Sequence, residues 1–146
     1  MFGDILRKLT QTNPAPLPQQ DARLALTALL VRVARTDNFY SPQEVAKIEK
    51  IVANRYGLDA AAAAALRTEG EALETQAPDT VRFTWAIKES VAYEDREAVV
   101  EAMWQVALAD GNRDDNEDAL LRLSCHLLGV NDRDSARARQ RVENAT

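Results

Sequence analysis

The sequence is poor in the residues that most often build metal sites and catalytic centres. Its 146 residues include one cysteine, Cys125, and one histidine, His126. A lone cysteine cannot form an internal disulfide, which favours a reducing compartment, and one cysteine with one histidine cannot complete a usual zinc site. The same shortage leaves no Ser/His/Asp or Cys/His set for nucleophilic catalysis. We therefore expect a protein that is not an enzyme, with Cys125 in the core and His126 at the surface.

Glycine, proline and long apolar runs are also scarce. There are five glycines and five prolines, while alanine and leucine are abundant, and this composition favours helix over strand. Apolar runs such as ALTALLV are far shorter than the roughly 20 residues that span a bilayer, and the N-terminus lacks the pattern of a signal peptide. A net charge of −5 argues against nucleic-acid binding, which depends on neutralising phosphates. We expect a cytoplasmic, all-α protein without a transmembrane span.

The chain divides into a leading segment, residues 1–19, and one helical domain, residues 20–146. Residues 1–9, MFGDILRKL, can form a short helix with its apolar side chains on one side. Three prolines within five positions, at 14, 16 and 18, make the rest of the segment a linker. The short helix either packs on the domain or serves as an anchor to a partner or to the inner-membrane surface, and the residues leave both interpretations open.

Helical periodicity and capping signals divide the domain into about seven helices, or eight with the leading segment. The residues SPQE at 41–44 combine an N-cap, an early proline and a glutamate in a capping box. Gly57 and Gly129 are typical helix-ending residues, whereas Gly70 is a weak point inside a helix. The predicted helices cover approximately residues 20–37, 42–56, 60–77, 79–93, 94–109, 114–128 and 131–145.

An internal repeat relates two parts of the domain. Residues 25–55 align with 98–128 without a gap, at an offset of 73 positions, and the apolar positions of one copy fall on apolar positions of the other. This self-similarity predicts two related helix–loop–helix halves, which we place in a pseudo-two-fold arrangement with the 79–93 helix between them. The identical pairs are Ala25/Ala98, Val33/Val106, Ala34/Ala107, Asp37/Asp110, Glu44/Glu117 and Ala46/Ala119.

Each copy of the repeat contains an Asp and a Glu seven residues apart, Asp37 with Glu44 and Asp110 with Glu117. Each Asp falls at the C-terminal end of a helix, where the helix dipole disfavours an anion. Hydrogen bonds from loop and helix-start N–H groups would compensate for this cost, with both glutamates as caps. A bound cation would compensate for it as well. In the first copy we favour the caps and keep Asp37 and Glu44 as the weaker candidate for a cation site.

The second copy has the ligand pattern of a cation site. Asp110, Asn112 and Asp114 alternate along the stretch DGNRDDNE, as oxygen ligands of a hard cation do in a short loop. Glu117 can complete the set from the next helix. Residues 110–118 contain five carboxylates and one arginine, a formal charge of −4 that a divalent ion would relieve. We predict a divalent cation here and favour calcium, because most of the ligands would come from the protein.

Three blocks of the sequence resemble those of a known family. VRFTWAIKE, VEAMWQVALADGNRDDNEDALLRLSCHLLGV and NDRDSARARQRV are similar to the blocks of the TerB-like family, named after tellurite-resistance protein TerB. The resemblance covers roughly residues 21–142 and is closest to small single-domain bacterial members. It implies an all-helical TerB-like fold, a link to tellurite and stress resistance, and acids associated with metal, which here correspond to Asp37, Glu44, Asp110 and Glu117.

Three functions are compatible with these residues. The first is a non-enzymatic interaction module that binds a protein partner or a second copy of the chain and is gated by the cation. The second is a structural scaffold whose acidic pairs are helix caps, and the third is a metal-dependent hydrolase with paired carboxylates. The last helix adds either a solvated basic face or a docking face for an acidic partner, through Arg133, Arg137, Arg139 and Arg141.

Overall fold

The computed structural model describes residues 19–36, 40–76, 84, 87–89, 91–109 and 115–145, and includes all of their side chains except those of 19–21, 115–117 and 145. The predicted short helix at 1–9 lies outside these residues. All regular structure in the described ranges is helical, which confirms the all-α prediction. In chain order the helices are α1 (Gln19–Arg35), α2 (Pro42–Tyr56), α3 (Ala60–Gln76), α4 (Tyr93–Ala107), α5 (Asp115–Leu127) and α6 (Asp132–Ala145).

Helix α1 is the centre of the fold because it packs against α2, α3, α4 and α5. A helix with neighbours on most sides is apolar nearly all round. The apolar residues that recur at helical spacing along α1 form a stripe that is buried, and residues beside this stripe, which a one-sided helix would leave in water, are buried as well. The buried residues of the stripe are Leu26, Leu29, Leu30, Val33 and Ala34, and those beside it are Leu24, Ala25, Ala28 and Val31.

Helices α1 and α3 pack closely at Gly70. A Cβ atom built on Gly70 would lie 2.6 Å from Cγ2 of Thr27 and 3.3 Å from the backbone nitrogen of Ala28. The Thr27 hydroxyl donates a hydrogen bond to the carbonyl of Arg23, at 2.8 Å, so the side chain is fixed in this orientation. The glycine that weakens α3 in isolation is therefore what allows α3 to pack against α1.

The ends of α2 and α5 have the same conformation. Gly57 and Gly129 have positive φ angles of 65° and 76°. In each case the N–H of the following residue donates to a carbonyl in the last helical turn, which is the Schellman arrangement. These ends confirm the predicted helix stops. The two bonds run from Leu58 N–H to Ala53 C=O at 3.0 Å and from Val130 N–H to Cys125 C=O at 2.9 Å.

The helix boundaries follow the offset of the internal repeat. Helix α5 begins at Asp115, 73 positions after Pro42, the first residue of α2. Equivalent core positions are buried in both copies, as the repeat predicts. These positions are Ile48 with Leu121 and Val52 with Cys125. The second helix of each unit thus begins at the same repeat position and the other boundaries agree within two residues, while the pseudo-two-fold arrangement remains a prediction.

The helix predicted for 79–93 ends earlier than its sequence pattern indicates. Thr84 and residues 87–89 are helical, and both Thr84 and Ile87 are buried. Ala92, however, has an extended conformation, with φ −65° and ψ 157°, and is the N-cap of α4. The acidic side chains in the first turn of α4 favour a new helix start at this point, because they interact well with the positive end of the helix dipole.

Candidate functional site: two helix joints

The repeated acidic pairs belong to two helix joints. We define the first joint as residues 35–44, between α1 and α2, and the second joint as residues 108–117, between α4 and α5. The predicted site residues Asp37, Asp110, Asn112 and Asp114 lie outside the described residues, and Glu117 lies in the first turn of α5 with a side chain that is not described. The cation site at the second joint therefore remains a prediction.

Glu44 caps helix α2 at the first joint. Its carboxylate Oε1 accepts the backbone N–H of Ser41 at 2.9 Å, and its own backbone N–H donates to the Ser41 hydroxyl at 3.1 Å. Both residues are completely buried. The capping box predicted from SPQE is confirmed, so one of the two acids of the first copy has a structural role. The weaker cation site at Asp37 and Glu44 remains a prediction.

A network of charged side chains attaches α3 to the first joint. The hydroxyl of Tyr40 donates to Glu71 at 2.7 Å, and Arg67 forms ion pairs with both Glu71 and Glu49. Burial and the neighbouring carboxylate of Glu71 raise the pKa of Tyr40. Burial alone would lower the pKa of Arg67, but its hydrogen bonds to Glu49 and Glu71 raise it. Tyr40 and Glu49 are far in sequence from their partners on α3, and no motif indicates these contacts.

The last turn of α1 is held by one carboxylate of α3. Glu74 accepts hydrogen bonds from Arg35 at 2.8 Å and from Arg32 at 3.3 Å. The guanidinium of Arg35 also lies 5.3 Å from the ring centroid of Tyr40. Arginines at this end of a helix interact favourably with its negative dipole. The first joint is thus fixed on the side of α3 by Glu71 and Glu74.

Cys125 is a core residue of α5, as the repeat predicts. Its side chain is buried, with the sulfur 3.4 Å from the hydroxyl oxygen of Ser135 in α6. The indole N–H of Trp104 donates to the same hydroxyl at 3.3 Å. Burial raises the pKa of the Cys125 thiol, which keeps it protonated and poorly nucleophilic. His126 is exposed, as predicted.

Most of the basic side chains of α6 have carboxylate partners within the chain. Arg139 pairs with Glu143 at 2.9 Å, and Arg141 pairs with Glu101 of α4 at 3.1 Å. Arg137 lies 3.8 Å from Asp134. Exposed pairs of this kind contribute little to stability, but they reduce the excess positive charge that a docking face for an acidic partner would need. The docking interpretation of α6 remains a prediction.

The sequence matches a family model that is described as tellurite resistance protein TerB. The match extends over residues 23–140, most of the chain. This chain belongs to the TerB family. No curated protein and no solved structure matches it. Both joints of this TerB-family protein lie inside the matched range.

Two further observations bear on the kind of site that this TerB-family protein contains. In the part of the chain that the structure describes, no group of three or more His, Cys, Asp or Glu residues is placed to hold a metal ion. The predicted ligands lie outside that part. No helix among the described residues is long and apolar enough to cross a membrane.

Proposed function

We propose that this protein is a non-enzymatic helical module of the TerB family that binds a divalent cation, preferably calcium, at the second joint. Asp110, Asn112, Asp114 and Glu117 would supply the oxygen ligands. Occupancy of the site would be transmitted to a protein partner or to a second copy of the chain, as part of a response to tellurite or a related stress. We propose a cytoplasmic location, with residues 1–9 as a peripheral contact to the inner membrane.

The observation that carries this proposal is the position of the second joint between two helix termini. Helix α4 ends at Ala107 and α5 begins at Asp115, so Glu117 belongs to the first turn of α5. The C-terminal end of α4 has a negative dipole, and a cation is favourable there. The formal charge of −4 in residues 110–118 adds to this preference. A cation bound by Asp110 and Glu117 would tie the end of α4 to the start of α5.

The proposal is tested by thermal unfolding in the presence of calcium, magnesium, manganese or zinc at millimolar concentration. We expect calcium to raise the melting temperature of the wild-type protein, because a ligand that binds the folded state stabilises it. Asp110→Asn should abolish the increase. Asp37→Asn, the same change in the weaker copy, is the matched control and should retain it. A melting temperature that none of the four metals changes would contradict the cation site.

A structural role for the acidic pairs is the second candidate, and the capping box of Ser41 and Glu44 favours it. If Glu117 is likewise only a cap, the destabilisation caused by Glu117→Gln should be the same with and without metal. The same should hold for Asp110→Asn. Glutamine can keep the capping hydrogen bond, so Glu117→Gln would lose mainly the favourable charge at the helix start, which is worth about 0.3–1 kcal/mol. A destabilisation that appears only when calcium is present would instead support the cation site.

A further inference from the structure

A pocket of about 410 Å³ lies between α1, α2 and the start of α4, away from both joints. This volume is within the range of small-molecule sites. Its walls combine apolar side chains, among them Leu26, Ile87 and Val99, with the arginines Arg23 and Arg55. Leu26, Ile87 and Val99 are all buried, so the apolar wall is continuous with the core.

The Nε atom of Arg23 has no hydrogen-bond acceptor among the residues that the structure describes. This atom is buried. The guanidinium group lies on the ring of Tyr56, with Cζ 4.8 Å from the ring centroid. An aromatic face attracts a cation but does not satisfy its N–H donors. A buried N–H without an acceptor is costly, and a ligand oxygen that reached the Nε atom of Arg23 would remove this cost.

Arg55 adds a second positive charge to the same wall. Its Cζ atom lies 5.9 Å from the Tyr56 ring centroid, so both guanidinium groups are close to one ring. No carboxylate of the described residues lies within ion-pair distance of Arg23 or Arg55. Asp95, the acid that lines the pocket, is exposed. The described lining residues therefore carry two positive charges and one negative charge, although the whole chain has a net charge of −5.

Arg55 also connects the pocket to a basic groove. The groove lies between α2, α4 and α6, and Lys47 and Lys50 line it together with Arg55. Its acid, Glu101, is paired with Arg141. Positive potential on the path to a pocket raises the local concentration of anions and their rate of entry.

We propose that this pocket binds a small amphipathic anion, a carboxylate or phosphate monoester on a short apolar chain. The head group would accept hydrogen bonds from Arg23 and Arg55, whose planar forks suit both kinds of oxyanion. The apolar chain would lie against Ala22 and Val91, the partly exposed apolar residues of the lining, above the buried Leu26, Ile87 and Val99. This proposal does not depend on the cation site at the second joint.

The proposal is tested with octanoate below its micelle concentration, followed by amide chemical shifts in two-dimensional NMR. We expect saturable shifts of residues 22–26 and 55–56, at the pocket. Octanol has the same chain without the charge, and it should bind at least about tenfold more weakly because it lacks charge-assisted hydrogen bonds. Equal binding of octanol, or shifts confined to other parts of the chain, would overturn the proposal.

Vesicles of anionic phospholipid distinguish a free anion from a membrane surface. A pocket that takes one single-chain anion should bind monomeric octanoate and octyl phosphate. Vesicle binding without binding of either monomer would overturn the proposal and would indicate a membrane surface instead.

Three variants test the residues. Arg23→Gln should weaken octanoate binding about tenfold or more, because the head group loses a charged donor. Arg55→Gln should weaken it as well. Arg139→Gln is the matched control, since Arg139 also lies on an aromatic ring, 5.2 Å from the Trp104 centroid, but on another face of the protein. If Arg23→Gln is folded, as judged by its melting temperature and NMR spectrum, and retains wild-type affinity, the proposal is wrong. If it does not fold, Arg55→Gln decides in the same way.

Discussion

Thr27 and Gly70 meet where α1 crosses α3, and a Cβ atom on Gly70 would lie 2.6 Å from Cγ2 of Thr27. A separation below 3.0 Å requires one of the two groups to move. The Thr27 side chain is held by its hydrogen bond to the Arg23 carbonyl, and the backbone of Ala28 lies just behind it. Close packing of α1 against α3 therefore depends on the absence of a side chain at position 70.

We expect Gly70→Ala to destabilise the protein although alanine is the better helix former. Alanine gains about 1 kcal/mol of helix propensity over glycine. Overpacking against Thr27 costs about 1–3 kcal/mol, and it should exceed that gain because the crossing involves backbone as well as side chain. The measurement is the free energy of unfolding in urea. A Gly70→Ala protein more stable than wild type would contradict the close approach.

Combining Gly70→Ala with Thr27→Ser tests whether the contact with Thr27 causes the loss of stability. Thr27→Ser removes Cγ2, the methyl group that the new Cβ would meet, and keeps the hydroxyl that bonds to Arg23. In a double-mutant cycle, Gly70→Ala should therefore cost less in the Thr27→Ser background than in wild type. Equal costs in both backgrounds would place the strain elsewhere in α3.

Gly70 also illustrates how much of the fold the sequence predicts. Periodicity and caps identified the helices and most of their ends, because SPQE at 41–44 and the terminal glycines act locally. They could not identify the role of Gly70, since the partner, Thr27, lies on another helix. The same limit applies to α1, whose pattern shows one apolar face but whose position in the centre buries most of its surface.

The candidate sites were predicted unevenly for the same reason. The local motif SPQE identified Glu44 and its cap because both partners are within four residues. The ion pair of Arg67 with Glu49 and the hydrogen bond from Tyr40 to Glu71 depend on the packing of α3 against α2 and the first joint. The pocket at Arg23 likewise requires α1, α2 and α4 together. Apart from the i, i+4 spacing of Arg67 and Glu71, these arrangements have no spacing in the sequence that would indicate them.

Tyr40 and Tyr93 form a matched pair for testing the network at the first joint. Both hydroxyls donate to a carboxylate, Tyr40 to Glu71 at 2.7 Å and Tyr93 to Asp134 at 2.9 Å. Tyr40 is partly buried within the network, whereas Tyr93 is exposed. We expect Tyr40→Phe to lower the free energy of unfolding by about 1 kcal/mol, and Tyr93→Phe to lower it less, because water replaces its hydrogen bond. Equal effects would show that the network adds no stability.

The raised pKa of Tyr40 predicts how its contribution to stability depends on pH. Burial and Glu71 raise it well above the 10.0 of a free tyrosine, so the native state keeps this proton where the unfolded chain loses it. Stability from Tyr40 is therefore complete below about pH 10 and declines as the pH rises above that value. The difference in unfolding free energy between wild type and Tyr40→Phe should decrease in that range. A difference that grows with pH would contradict the assigned direction.

The Cys125 thiol should be unreactive in the folded protein. It is buried, and burial raises its pKa, so little thiolate is present or accessible at neutral pH. A disulfide reagent such as dithionitrobenzoate should react slowly with native protein and rapidly after unfolding in urea. The double variant Cys125→Ala, Leu123→Cys is the matched control, because Leu123 lies on the same helix and is 46% exposed. Rapid reaction of native wild type would show that the thiol is accessible.

Gly57 and Gly129, which end α2 and α5, should respond alike to substitution, because both have the left-handed backbone conformation. A Cβ atom on Gly57 would meet no atom within 4 Å, so any loss there is the cost of the backbone conformation alone. We expect Gly57→Ala and Gly129→Ala each to lower the free energy of unfolding by about 1–2 kcal/mol. Gly57→Asn should cost less, since asparagine enters this region more readily. The measurement is urea unfolding of the four proteins. A loss at only one of the two alanine variants would show that the helix ends of the two repeat copies are not energetically equivalent, despite their matching geometry.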